Sequence, residues 1–260
     1  MGRGWGRRTA VLAASAAIAL TGCSNPGDIV GPGGAGSPAS AGEGAPAGPA
    51  GPAVLPLDNA DGTAPGLAPL TADADRAEAR GLIDKVQTAG RGAKTGYERE
   101  MYGPAWTDSA NGVPLGRNGC GTRDDILKRD GTAVRFKSGS TCVVTAMSLA
   151  DPYTGKSIPF EKSKATAVQI DHVVALSASW QMGAARWPED KRVQFANDPL
   201  NLLAVDGPTN SGKGDSTPAS WLPPNKAIRC AYAVRYAQVS IKYDLPVTDA
   251  DKTAMSQQCV

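Results

Sequence analysis

From Ser24 to Pro69 the chain is dominated by glycine, proline, alanine and serine, and this run limits how much of its 260 residues can fold. The segment has no apolar periodicity. Its large side chains are too sparse to offset the entropy of ordering it, so composition predicts a flexible tether over residues 23–69. A single folded domain is then expected over residues 70–260, long enough for a hydrophobic core of its own.

The tether follows a leader. Residues 1–22 place Arg3, Arg7 and Arg8 before an apolar stretch from Ala10 to Leu20, the layout of a secretory signal and too short for a comfortable membrane span. Leu20-Thr21-Gly22-Cys23 resembles the lipobox of bacterial lipoproteins, which implies that Cys23 carries lipid and opens the mature chain. The expected location is therefore outside the cell, held to a membrane by lipid, or secreted if the box is not used. The Arg7-Arg8 pair is only a weak sign of twin-arginine export. No protein partner is implied.

Four further cysteines, Cys120, Cys142, Cys230 and Cys259, form an even set in a chain that reads as exported, so oxidised pairs are expected. Of the possible pairings, Cys120–Cys142 with Cys230–Cys259 is favoured because each closes one local loop. A zinc site competes poorly, since no CxxC occurs and the spacings fit no zinc module. The formal net charge of +2 neither names nor excludes a nucleic-acid partner.

Patterning within the domain predicts α+β: a small antiparallel sheet with surrounding helices. "LTADADRAEARGLIDKVQTAG" reads as a helix with Thr71 as N-cap and Gly90 at its stop. A short helix is expected over Thr122–Arg129, followed by strands at Ala133–Lys137 and Thr141–Ser148. A third β-branched run ends in Asp171-His172. A short helix at "SASWQMGAARW" and a strand from Asn201 come next. Tyr232, Tyr236, Val239 and Tyr243 share one face of a long helix. Thr248 and Asp251 have capping-box spacing before the last helix.

His172 is the only histidine in the chain. Two-histidine and three-histidine zinc hydrolases are therefore excluded. A serine triad drawing on Ser177, Ser179 or Ser211 lacks a nucleophile-elbow motif. One histidine serves well as a single general base beside a metal held by oxygen ligands. Asp171 and His172 point to opposite faces of a regular strand, and converge on one site only if the chain bends there. Downstream, "DPLNLLAVDGPTNSGKGD" crowds Asn201, Asp206, Asn210, Lys213 and Asp215 among Gly and Pro. Turn chemistry alone would account for that crowding.

Taken with "YEREMYGPAW", "NGCGTRDDILKRD", "IDHVVALSASWQMGA" and "ASWLPPNK", these residues resemble the ββα-metal (His-Asn-His) endonucleases. The likeness is strongest to the exported branch akin to the C-terminal domain of GmrSD restriction enzymes, and it spans roughly Tyr97 to Met255. The resemblance implies His172 as general base, Asp171 as ligand of a divalent metal, and Asn201 as the residue that orients the imidazole. Asn210 stands where the second metal-binding histidine usually lies. An amide oxygen there shifts preference toward Mg²⁺, Mn²⁺ or Ca²⁺ over Zn²⁺. A cation near the phosphate is also wanted, with Lys213 the first candidate and Arg123 the second. The upstream block departs from the family's wording at Gly121 and Asp124, which weakens any role for it, and Glu100 is a minor candidate acid. Trp106, Trp180, Trp187 and Trp221 suit core packing better than base stacking.

The expected activity is metal-dependent hydrolysis of nucleic-acid phosphodiesters, DNA favoured, with little sequence specificity. A non-catalytic lipoprotein binding module on the same fold is the alternative. A cell-wall hydrolase fits the location but lacks zinc-type ligands.

Overall fold

The computed structural model describes residues 52–260; the leader, Cys23 and most of the tether lie outside the described residues. Domain structure starts earlier than composition suggests. Leu67 and Leu70 are buried, and Leu55 and Leu57 pack against the main core. The reason is hydrogen bonding as much as apolar burial. Arg129, at the end of α2 (Thr122–Asp130), donates to the carbonyls of Gly62, Pro199 and Leu202, while Asp130 accepts from the main-chain N–H groups of Gly66 and Ala204. Gly62 has φ +75°, and a Cβ there would lie 2.3 Å from the Leu200 main chain, so only glycine permits this approach. The strap 52–69 is thus part of the domain.

Helix α1 (Asp73–Asp84) follows, shorter than its pattern suggests; Ala72, not Thr71, stands at its N-cap and makes no side-chain cap, and the helix ends well before Gly90. Strands β1 (Gly131–Phe136), β2 (Val144–Ala150) and β3 (Ser157–Glu161) form an antiparallel three-stranded sheet in that order. A second, two-stranded antiparallel sheet pairs β4 (Val168–His172) with β5 (Leu202–Asp206), from Val168 opposite Asp206 to His172 opposite Leu202 without a break. The fold is α+β as expected, with the strands divided between two sheets.

The small sheet lies between two cores. Val168, Ile170, Leu202 and Ala204 join Ile126, Leu127 and Phe160 under the three-stranded sheet, while Leu203 and Val205 face a larger core built on α6 (Arg229–Tyr243). Period-two alternation with both faces buried explains why these strands read as continuous apolar runs. In α6, Tyr232, Tyr236, Val239 and Tyr243 are all buried. Helices α3 (Leu176–Gln181), α4 (Glu189–Asn197) and α5 (Gly207–Lys213) surround the β4–β5 pair, and α7 (Asp249–Ser256) closes the chain with the expected Thr248–Asp251 capping box.

Both favoured disulfides form, Cys120–Cys142 and Cys230–Cys259. Among the described residues no helix is long and apolar enough to cross a membrane.

Candidate active site

Strand β4 delivers Asp171 and His172 without a bend, and their side chains leave toward different cores. Asp171 is buried. One carboxylate oxygen accepts from the Lys213 ammonium at 2.8 Å and the other from the Tyr153 hydroxyl at 2.5 Å. His172 turns toward the other face, where its ring stacks on Trp106 with centroids 5.5 Å apart and planes 12° apart. Both residues nevertheless border one cavity of about 190 Å³, together with Asn210, Arg99 and Asp215. The site therefore forms beyond the end of β4, where opposite faces of the strand meet the same opening. A larger cavity of about 530 Å³ between the strap, α1 and α6 contains none of these residues.

The protonation of His172 follows from its partner. Nε2 lies 2.9 Å from the Ala196 carbonyl, which can only accept, so Nε2 carries the hydrogen and Nδ1 is the basic atom of the neutral ring. Burial drives its pKa down to about 3, opposed by the bond to Ala196 and assisted by the charges of Arg99 and Lys213. Burial also pushes the Asp171 carboxyl above its ordinary value, against the pull of Lys213 and Tyr153.

Asn201 is wholly buried beside the start of β5. Its Oδ1 accepts from the Val174 N–H at 2.8 Å, and its Nδ2 donates to the carbonyls of Val174 and Phe195. None of these hydrogen bonds goes to the imidazole. It ties the chain leaving β4 to the last turn of α4, which presents the Ala196 carbonyl to His172.

Helix α5 starts directly after β5 because Asp206 caps it, accepting from Thr209, and because Gly207 lets the helix pass Thr166, whose carbonyl would lie 1.9 Å from any Cβ. This helix carries Asn210 and Lys213. Asn210 donates from Nδ2 to Gln169 at 2.9 Å, and its Oδ1 accepts no hydrogen bond among the described residues. Lys213 is fully buried and also donates to the His172 carbonyl at 2.8 Å. Arg123 stands apart: its guanidinium is bound by the carbonyls of Val168 and Ala165, at the opposite end of β4 from His172.

Tyr153, which pattern reading passes over, reaches Asp171 because Asp151 ties the turn between β2 and β3 to the end of β5, accepting from the Asp206 N–H at 3.0 Å. Only the Asp-Pro-Tyr-Thr-Gly turn chemistry marks that segment in the sequence. Arg99 is equally silent in the sequence. It lies in a 3-10 turn, Arg99–Tyr102, with no local motif of its own.

No group of three or more His, Cys, Asp or Glu side chains suited to a metal occurs among the described residues. What Asp171 and Asn210 provide is one carboxylate and one amide oxygen. Both are oxygen donors of the kind hard cations take, and both carboxylate oxygens of Asp171 already accept hydrogen bonds, from Lys213 and Tyr153.

The β4–β5 pair thus runs directly into α5, with a neutral histidine at the end of β4 next to a buried carboxylate. The chain belongs to the family of GmrSD restriction endonuclease C-terminal domains, which matches residues 121–258. It is thereby a nuclease in general terms, with nucleic acid as its class of substrate. An "Uncharacterized secreted protein" of the fungus Arthroderma benhamiae is 37% identical over 180 residues, covering 68% of this chain and 81% of the relative. No solved structure matches the chain. The two disulfides are consistent with export.

Proposed function

We propose that the protein is an exported, metal-dependent endonuclease of the ββα-metal type that hydrolyses phosphodiester bonds, DNA favoured, with little sequence specificity. The observation that carries this reading is the commitment of His172 Nε2 to the Ala196 carbonyl, which leaves Nδ1 as the basic atom of a residue that borders one cavity with Asp171 and Asn210. The secretory leader, the disulfides and the relative described as secreted support export. Lipid on Cys23 is proposed from the lipobox resemblance.

His172 takes a proton from the attacking water at Nδ1, and the Ala196 carbonyl stabilises the resulting imidazolium through Nε2–H. Asn201 positions the ring through α4. Lys213 and Tyr153 orient Asp171, and Lys213 favours its ionised form. Asp171 and Asn210 would hold a divalent metal, which supplies neutralisation of the phosphate and of the departing 3′ oxygen. Lys213 itself is enclosed and acts through Asp171, not on the phosphate.

A second reading, a binding module without catalysis, is favoured by one fact: both carboxylate oxygens of Asp171 already accept hydrogen bonds in the folded chain. Incubating the protein with DNA and RNA across Mg²⁺, Mn²⁺ and Ca²⁺, with and without EDTA, separates the two. Cleavage abolished by EDTA supports the nuclease; absence of cleavage under every condition supports the module.

A further inference from the structure

A phosphodiester brings negative charge to the cavity, so the cations around it decide where the phosphate can sit. The charged side chains at its wall pair off. Asp171 is matched by Lys213 at 2.8 Å, and Asp215 by Lys94 at 2.9 Å. Lys213 is enclosed and Arg123 is bound at the far end of β4. What is left is Arg99. It is solvent-exposed, borders the cavity beside His172, and has no carboxylate partner among the described residues. With Asp171 and Asp215 each paired to a lysine and His172 neutral, Arg99 is the charged residue bordering the cavity that makes no ion pair among the described residues.

The backbone beneath Arg99 is held firmly. Tyr102, in the same 3-10 turn, donates its hydroxyl to the Leu176 carbonyl at 2.9 Å and lies 2.6 Å from the Ser179 hydroxyl. Arg192 of α4 donates to the Met101 carbonyl at 2.6 Å. Gly103 follows with φ +75°, and a Cβ there would meet Val193 at 2.6 Å, so the turn presses closely on α4. The guanidinium lies 5.8 Å from the centroid of the Trp106 ring, the ring on which His172 is stacked. One indole therefore contacts both the base and the free cation, and sets the spacing between them.

We propose that Arg99 is the cation that grips the scissile phosphate, and that Trp106 is the positioning residue that holds it in register with His172. The assignment deepens the nuclease reading and rests on it. A guanidinium offers paired donors that match phosphate oxygens, and packing on an indole leaves its N–H edge free to do so.

The test is binding of a short fluorescent DNA duplex to the full chain in EDTA, titrated with salt, followed by cleavage with Mg²⁺. Arg99→Ala is expected to weaken binding about tenfold or more and to reduce the slope of log affinity against log salt by about one phosphate contact. Its cleavage rate is expected to fall about a hundredfold. Arg99→Lys should restore the salt slope but only part of the rate, and Arg76→Ala, which removes one positive charge from α1, should alter neither. For Trp106, Phe should preserve most of the rate while Leu lowers cleavage more than binding. Wild-type affinity and salt slope in Arg99→Ala would overturn the assignment and leave the nuclease reading standing. Failure of the wild-type chain to bind DNA at all would overturn both.

Discussion

The Nε2 atom of His172 sits 2.9 Å from the Ala196 carbonyl, and this contact defines which nitrogen of the ring is a base. The bond depends on α4 ending where it does, and Asn201 holds that end through the Phe195 carbonyl. Replacing Asn201 with Ala strips partners from buried main-chain groups at Val174 and Phe195. Thermal unfolding should show a loss of about 1–3 kcal/mol. Cleavage should fall further than the fraction unfolded accounts for, since the ring loses its support; an unchanged specific activity of the folded fraction would remove Asn201 from the mechanism.

Lys213 and Asp171 form a buried pair. Lys213→Met leaves the carboxylate buried and unpaired, and should cost about 3–5 kcal/mol in urea unfolding. Combining it with Asp171→Asn removes both charges and should recover part of that loss, although activity stays absent. A double variant as unstable as the sum of the single ones would show that the pair is not coupled.

His172 also sets a pH dependence of stability. Its folded pKa, about 3, lies below the ordinary value of 6.5, so the native ring stays neutral where the unfolded chain takes up a proton. Stability from this residue is full above about pH 6.5 and falls as pH drops toward 3, by roughly 1 kcal/mol per pH unit. Comparing wild type with His172→Gln cancels the carboxylates common to both. The difference between their unfolding free energies should change over that window; parallel curves would mean the ring is not buried neutral.

The strap 52–69 belongs to the domain through Leu67, Gly62 and Gly66. A chain starting at residue 70 should unfold at clearly lower temperature than one starting at residue 52. The truncation removes a buried leucine and leaves Arg129 and Asp130 short of partners. Equal melting temperatures would restore the boundary that composition suggests.

Much of the site is legible because its parts are local in sequence. The β4 run, Asn201 at the head of β5, and the polar start of α5 each announce themselves by alternation or turn chemistry, and α6 by its tyrosine face. The strap was hidden because Gly62 serves a close contact with Leu200 that no local pattern reveals, and because averaging over a Gly/Pro-rich run conceals Leu67. Strand β3 is a short edge strand that contains Pro159, and its partner β2 lies across a turn. Tyr153 and Arg99 matter only through tertiary neighbours, Asp171 and Trp106. Lys213 stands in the polar run that opens α5, but that it meets the buried Asp171 carboxylate depends on how α5 docks against β4, which no local pattern states.

The role of His172 as base in a metal-dependent nuclease is tested by plasmid nicking with wild type and His172→Ala in Mg²⁺ or Mn²⁺. Wild type is expected to convert supercoiled plasmid to nicked and linear forms, EDTA to stop it, and a folded His172→Ala chain to leave the plasmid intact. Plasmid cleavage by His172→Ala at the wild-type rate, or by wild type undiminished in EDTA, would contradict it.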